Sequence, residues 1–516
     1  MRRYNKCVLL TRVGSFYELY FEQADKYGPL LNLKVAQKKT AAGSVSMSGF
    51  PVYQLDRFLK ILVEDLNESV ALSEEFPNDA SGTVKSGGLM HDRRVTRTIT
   101  PGTLIDEKFM DPYNNNFLLA LHALDVENPQ TSEDENVPLE LTKGLMPPSW
   151  TSRPVGLAWL DLSTGDFFTQ TTALGMLASA AARIGAREIL LSNSLDKNLR
   201  QNILNMLEQQ RDLVTYHSME LAQAGIASWT PMLEAEVPSK IWGTFTTEEV
   251  AAGSLLLSYT KESLQGLGIK LQPPVRRRSK ETMSIDKNSM RALEVLGTSK
   301  EGLSGGKGSL LHAVRRTNTK SGARLLRDWI ASPSMSLQVI NARLDLVSHL
   351  LHDRAFKEDI ETLLRRTFDS QRLVQKFSMG RGDADDLVSL LRTIEATNAI
   401  ASALDKRVCP PGPYPILSVD DQEKRQSLQA LQGRLSLDGP NALAALIAAS
   451  IDEDSLMESH RIEETGNADI VLMAQEVLHN EGSAEDQAVM SRVSRSKVKP
   501  KAIMEQDLED EDTWTA

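Results

Sequence analysis

The stretch that decides the fold is Gly14-Ser15-Phe16-Tyr17-Glu18-Leu19-Tyr20. Together with the run Val8-Leu9-Leu10 just before it, the pair Phe16-Tyr17 reads as strand material. Side chains alternate across a strand, so Tyr17 points away from the face that Phe16 and Glu18 share, and toward a core. Taken alone, an aromatic pair behind a glycine is ordinary core packing. Further along, Phe58, Ile61, Leu62 and Leu66 recur at helical spacing within residues 56–66. A mixed α/β domain over residues 1–112 is expected, closing near Asp111-Pro112.

An apolar run over 117–124 follows, and then a polar stretch over 125–150, rich in Glu, Pro, Ser and Asn, that reads as a loop insertion. Residues 155–162 are a strong strand candidate, and Gly165-Asp166 supplies the turn into Phe167-Phe168-Thr169. Strands and helices alternate on through Glu188-Ile189-Leu190-Leu191, giving a second α/β domain over 113–247. From about Glu248 the patterns are long and helical. Ile340, Leu344, Val347 and Leu351 line one face of an amphipathic helix, which Ser336 is placed to cap. Similar periodicity recurs over 355–377 and 385–405. The run Cys409-Pro410-Pro411-Gly412-Pro413-Tyr414-Pro415 must be a connection, and helical pattern resumes over 442–478. A helical domain over 248–480 is expected, with an acidic, disordered tail over 481–516.

The totals permit three or four domains in 516 residues, at an ordinary 41% hydrophobic and 25% charged. No stretch approaches the roughly 18 consecutive apolar residues of a membrane-spanning helix. Cys7 and Cys409 match no metal or redox spacing and read as incidental thiols in a reducing compartment. The net charge of -11 resides in residues 451–516, which hold 17 acidic and 6 basic side chains; the first 450 residues sum to zero. Acidity of the tail does not exclude nucleic acid as a partner, because binding follows local basic clusters.

The Gly-x-Phe-Tyr-Glu segment at 14–18 resembles the hallmark of the mismatch-binding domain of MutS proteins. Leu30-Leu31-Asn32-Leu33, Met47-Ser48-Gly49-Phe50-Pro51 and Ile99-Thr100-Pro101-Gly102-Thr103 follow in the order and at the distances of that domain. The resemblance implies that Phe16 and Glu18 read the lesion. An apolar ring wedged between base steps costs a few kcal/mol of unstacking at a paired site. A mismatched or unpaired base is already poorly stacked and kinks more easily, so the same wedge costs less there. Glu18, normally repelled by phosphates, would hydrogen-bond the displaced base. Lys38 and Lys39, before a Thr-Ala-Ala-Gly loop, and His91, Arg93, Arg94 and Arg97 are candidates for sequence-independent backbone contacts, or solvated faces. Met47, Ser48 and Gly49 resemble the family's second DNA-approaching loop, where glycine permits close approach.

Residues 156–167 resemble the RNase H-like connector domain of the same family. That raises a rival, a two-metal nuclease with Asp161 on its first strand, but no further carboxylates complete such a site. Gly308-Ser309-Leu310-Leu311 and the run from Thr317 to Trp329, continued by Ile340-Asn341-Ala342-Arg343-Leu344-Asp345, resemble the family's helical core and lever. The loop Gly302-Leu303-Ser304-Gly305-Gly306-Lys307-Gly308-Ser309 is no phosphate loop: Gly308 stands where Ser or Thr must follow the lysine. No other Walker A pattern occurs. The expectation is a MutS-type chain that stops before the ATPase and clamp, with no catalytic residues, no metal and no cofactor of its own. ATP and Mg belong to the intact family, as does the homodimer. The implied partner is double-stranded DNA carrying mismatches or small loops, with no membrane. The run Arg12-Val13-Gly14-Ser15-Phe16-Tyr17-Glu18-Leu19-Tyr20-Phe21-Glu22-Gln23 is most similar to mitochondrial MutS homologues, which implies that location. A MutS relative acting in recombination without reading mismatches is the alternative, and the presence of both Phe16 and Glu18 argues against it.

Overall fold

The computed structural model describes residues 4, 7–40, 43–77, 91–105, 110–123, 151–207, 213–218, 225–265, 268–298, 307–408, 419–458 and 461. The expected insertion at 125–150, the proline-rich connection at 409–415 and the tail at 481–516 lie outside these residues. The chain divides into two units, 1–444 and 445–516. Of the second, only 445–458 and 461 are described: the end of the helix Asp438–Ser450 and a helical stretch over 453–458.

The first unit holds two six-stranded sheets and a set of helices. Strands β1 (Val8–Val13), β2 (Phe16–Tyr20), β3 (Ala36–Thr40), β4 (Gly43–Pro51), β5 (Val70–Pro77) and β6 (His91–Ile99) form the first sheet in the order β3-β4-β2-β1-β5-β6. All its pairings are antiparallel except β1 with β5. Period-two alternation decides what is buried. Tyr17 and Leu19 join Val8, Leu10, Phe50 and Leu72 in a core with Phe58, Leu59, Leu62 and Val63. Those last four come from the helix Leu55–Lys60 and the π-helical turn Ile61–Asp65 that continues it.

The second sheet contains β7 (Phe117–His122), β8 (Pro154–Asp161), β9 (Asp166–Ala173), β10 (Glu188–Ser192), β11 (Val214–His217) and β12 (Val275–Arg276), in the order β11-β10-β7-β8-β9-β12. It is buried on both faces. Leu119, Leu121, Leu157 and Trp159 pack against the helices Leu177–Ile184 and Lys197–Met206. Leu118, Ala120, Ala158 and Leu160 pack against the helix Thr247–Leu264.

That last helix lies just beyond the expected boundary at 247/248 and packs on the sheet that precedes it. It starts with a capping box in which Thr246 and Glu249 satisfy each other's backbone amides, and then lies directly on the second sheet. A Cβ on Gly156 would come within 2.1 Å of the Glu248 carbonyl, so the helix rests on bare strand. Its fully buried Glu249 also pairs at 2.9 Å with Arg276 of β12, which completes the sheet. The part of the chain packed on the second sheet therefore extends past residue 270.

Within the helical part, Ser336 caps the helix Leu337–His352 through the Val339 amide, as expected. The orientation differs from the expectation. Leu344, Val347 and Leu351 are 60%, 54% and 72% exposed, whereas Leu346 and Leu350 pack toward Phe356, Leu404 and Val408. The helix carries two apolar stripes, and the less regular one meets the core.

Two polar joints tie the parts together. The buried Glu188 carboxylate on β10 accepts hydrogen bonds from the Thr100 hydroxyl (2.5 Å), the Gly102 amide (3.1 Å) and the Tyr259 hydroxyl (2.7 Å). The link between the sheets is clasped by arginines. Arg324 holds Asp369 at 2.5 and 2.8 Å and reaches the Pro112 carbonyl at 3.1 Å. Arg327 donates to the Asn114 side chain at 2.6 Å and Arg372 to the Asn114 carbonyl at 3.0 Å. Burial pushes the Asp369 carboxyl up, but the hydrogen bond and charge of Arg324 outweigh it and hold it below the usual carboxylate range.

Candidate nucleic-acid interface

The β1–β2 hairpin pairs Thr11 with Glu18 and Val13 with Phe16, leaving Gly14 and Ser15 as the turn. Gly14 has φ of +59°, a left-handed conformation that glycine adopts without penalty. The turn is fastened from the neighbouring strand. Glu75 accepts from the Gly14 amide at 2.9 Å and pairs with Arg93, which also donates to the Arg12 carbonyl at 3.0 Å. Glu74 pairs with Arg12 at 3.1 Å and accepts from the Tyr17 hydroxyl. Burial, with the Glu74 bond second, pushes the Tyr17 phenol well above its usual range. The hairpin is thus braced from β5 by two carboxylates, Glu74 holding the buried Tyr17 and Glu75 the turn.

On the face away from Tyr17 stand Phe16 and Glu18. The Phe16 ring, 48% exposed, sits at the very start of β2. Glu18, with its side chain 14% exposed, pairs in register with Gly49. A Cβ at Gly49 would lie 2.9 Å from the Tyr17 carbonyl and 3.3 Å from Glu18 Cγ. The glycine therefore leaves room for the Glu18 side chain. Lys38 Nζ is 3.1 Å from both Glu18 Oε2 and the Tyr20 hydroxyl, and Tyr20 itself donates to the same Oε2. The Tyr20 bond, the first among its causes, raises the Lys38 pKa; burial, then the bond to Glu18, raises that of Tyr20.

The expected contact residues fall into two groups. Lys38, Met47 and Gly49 share the face of Glu18, since Met47 pairs with Tyr20 and Gly49 with Glu18. Lys39 is exposed next to Lys38 on the edge strand, one residue on and so on the opposite side. Ser48 requires correction. It pairs with Leu19, is 1% exposed, and its hydroxyl is buried without a hydrogen-bond partner among the described residues, so its side chain cannot touch a ligand. Alternation within β4, which the expectation of a loop overlooked, turns it inward. Arg97 is the second correction: it pairs with Leu72 on the packed side, where burial lowers its pKa beside Tyr17, Asp56 and Glu74. Arg93 belongs to the turn brace, and Arg94 pairs with Asp92 at 2.7 Å. The side chain of His91 lies outside the described residues.

Tyr20, Glu74 and Glu75 were not anticipated. Tyr20 was accessible from the same alternation that groups Phe16 with Glu18; the two carboxylates lie some sixty residues away and had no local signal.

Asp161, the residue of the nuclease rival, is fully buried. Its Oδ2 accepts from the Asn116 amide at 3.0 Å, and its Oδ1 from the Ser163 amide and hydroxyl at 2.9 and 2.7 Å. Both oxygens hold the strand end, and among the described residues no group of three metal-ligating side chains occurs. Of the loop 302–309, the structure describes Lys307 to Ser309. Ser309 is spent as the N-cap of the helix Leu310–Val314, accepting from His312 at 3.2 Å. These residues offer nothing fitted to a nucleotide phosphate.

Comparison with known proteins matches residues 1–108 to MutS domain I, 147–230 to MutS domain II and 288–509 to MutS domain III. The chain is 31% identical over 408 residues to the DNA mismatch repair protein MutS of Acaryochloris marina, covering 76% of this chain and 42% of that protein. It is 29% identical over 421 residues to the protein of the same name from Rhodopseudomonas palustris (78% and 41%). With that of Cereibacter sphaeroides it shares 28% over 483 residues (90% and 49%). The chain thus spans less than half the length of these relatives. Three domain matches in the family's order, over sheets and helices that agree with them, place this chain in the MutS family, with domains I, II and III.

Proposed function

We propose that this chain binds mismatched or unpaired bases in duplex DNA, with Phe16 entering the base stack and Glu18 accepting a hydrogen bond from the displaced base. The observation that carries this reading is the half-exposed Phe16 ring on a braced hairpin, with a carboxylate two residues on, along the same face. A large apolar ring held out of a core suits insertion at a deformable step. Lys38 and Met47 share this face and Lys39 stands at the sheet edge on its other side; a basic contribution there is salt-sensitive and indifferent to sequence.

The test is equilibrium binding to a matched duplex and to the same duplex with one mismatch, for the chain and for Phe16→Ala. The chain should prefer the mismatch, and Phe16→Ala should abolish the preference while salt-sensitive general binding remains. Survival of the preference in Phe16→Ala would refute the assignment.

Three further parts of the proposal rest on the resemblance. The chain itself hydrolyses no ATP, which DNA-stimulated phosphate release from pure protein would overturn. Dimerisation, ATP and Mg belong to longer family members. Mitochondrial location rests on the wording of residues 12–23, while the relatives named above are bacterial proteins; a fluorescent fusion tests it.

A further inference from the structure

Glu18 is held asymmetrically. Both of its donors, the Tyr20 hydroxyl and Lys38 Nζ, converge on Oε2, and they also bond to each other at 3.1 Å. Oε1 has no hydrogen-bond partner among the described residues. The two donors come from different strands: Tyr20 is two residues on from Glu18 in β2, and Lys38 stands on edge strand β3, beyond β4. They meet because Gly49 intervenes with no side chain in the row opposite Glu18. The Lys38 ammonium also lies 5.3 Å from the centre of the Tyr20 ring, so the same phenol fixes it from its face.

We propose that Lys38 and Tyr20 are positioning residues for Glu18: they occupy Oε2 and thereby present Oε1 as the acceptor for the displaced base. This rests on the function proposed above. A carboxylate has two equivalent oxygens and rotates freely about its last bond unless one is engaged. Here an ammonium and a phenol engage the same one, which leaves a single acceptor of defined direction. The ammonium also offsets a negative charge on a face that must approach phosphates. Lys38 thus acts through Glu18 rather than as a free backbone contact. That distinguishes it from Lys39, which is exposed and has no such partner among the described residues.

The experiment compares mismatched-over-matched binding for the chain, Lys38→Met, Lys38→Arg, Tyr20→Phe, Glu18→Gln, and the double variant Lys38→Met/Glu18→Gln, with a thermal melt of each. A charge-assisted hydrogen bond is worth enough that Lys38→Met should lower the ratio about tenfold. Lys38→Arg should retain it within about threefold, and Tyr20→Phe should fall between, since it removes the weaker donor. In the Glu18→Gln background, Lys38→Met should change the ratio less than about twofold, the signature of residues acting as a unit. The melts should agree, because Lys38 is on an exposed edge. If Lys38→Met weakens both duplexes equally and keeps the ratio, Lys38 is a phosphate contact only and the proposal falls. It falls likewise if the effects of Lys38→Met and Glu18→Gln simply multiply. A chain with no mismatch preference at all overturns the proposed function and this inference together, whereas preference retained in Lys38→Met overturns this inference alone.

Discussion

The two six-stranded sheets of this chain are equal in strand number and opposite in use. In the first, β2 alternates: Phe16 exposed, Tyr17 buried, Glu18 half-buried, Leu19 buried. In the second, β8 is buried without a break from Val155 to Asp161. A sheet packed on one side must alternate, and one packed on both must not. The difference teaches where function can reside. A sheet covered on both faces has no surface left to meet a ligand. The first keeps a row of side chains free of packing, and Phe16 and Glu18 stand in that row.

Substitutions should reveal this contrast, beginning with the largest effect. Leu157→Ala, at the centre of the covered sheet, should cost about 2–5 kcal/mol in denaturant unfolding; a loss under 1 kcal/mol would mean that the sheet is not closed as described. Gly156→Ala should cost about 1–3 kcal/mol or more, because the new methyl meets the Glu248 backbone rather than a side chain able to move. Ser48→Ala should raise stability by about 1 kcal/mol by removing a buried hydroxyl without a partner. It should leave DNA affinity unchanged, and reduced DNA binding with unchanged stability would put Ser48 on the open face after all. Phe16→Ala should alter stability by no more than about 0.5 kcal/mol, since a half-exposed ring contributes little to a core. A large loss there would break the comparison, for it would make Phe16 a packing residue.

Much of this was legible locally. Alternation around Phe16 separates it from Tyr17, and the apolar run at 155–162 announces a covered strand. The Ser336 cap needed three residues of context. What escaped depends on distance. The helix Thr247–Leu264 is buried on most of its circumference because small residues let it approach: Gly253 lies under Trp229, where a Cβ would be 2.5 Å from the indole. Such a helix has no single apolar face and reads as the beginning of something new. The stripe Ile340, Leu344, Val347 and Leu351 identifies a helix correctly, but periodicity cannot say which of two apolar stripes meets the core. Within the candidate site, Phe16 and Glu18 were found from the family resemblance, whereas their support by Glu74, Glu75, Tyr20 and Lys38 required strand pairing. Ser48 and Arg97 were misassigned for the same reason, because register decides the side of a sheet.

The buried Glu188 gives the motif Ile99-Thr100-Pro101-Gly102-Thr103 a mechanical meaning. On the proposed reading, a duplex that is kinked around Phe16 pushes back on the hairpin with equal force. The hairpin passes that load to β5 through the parallel pairing of β1, and from β5 to β6, whose end runs into Thr100. There the Thr100 hydroxyl and the Gly102 amide are seated on a carboxylate that belongs to the other sheet. A Cβ on Gly102 would lie 2.8 Å from the Glu188 side chain, so the seat has no slack. On that reading the recoil of the hairpin is grounded in the covered sheet, the anvil against which the open one would work.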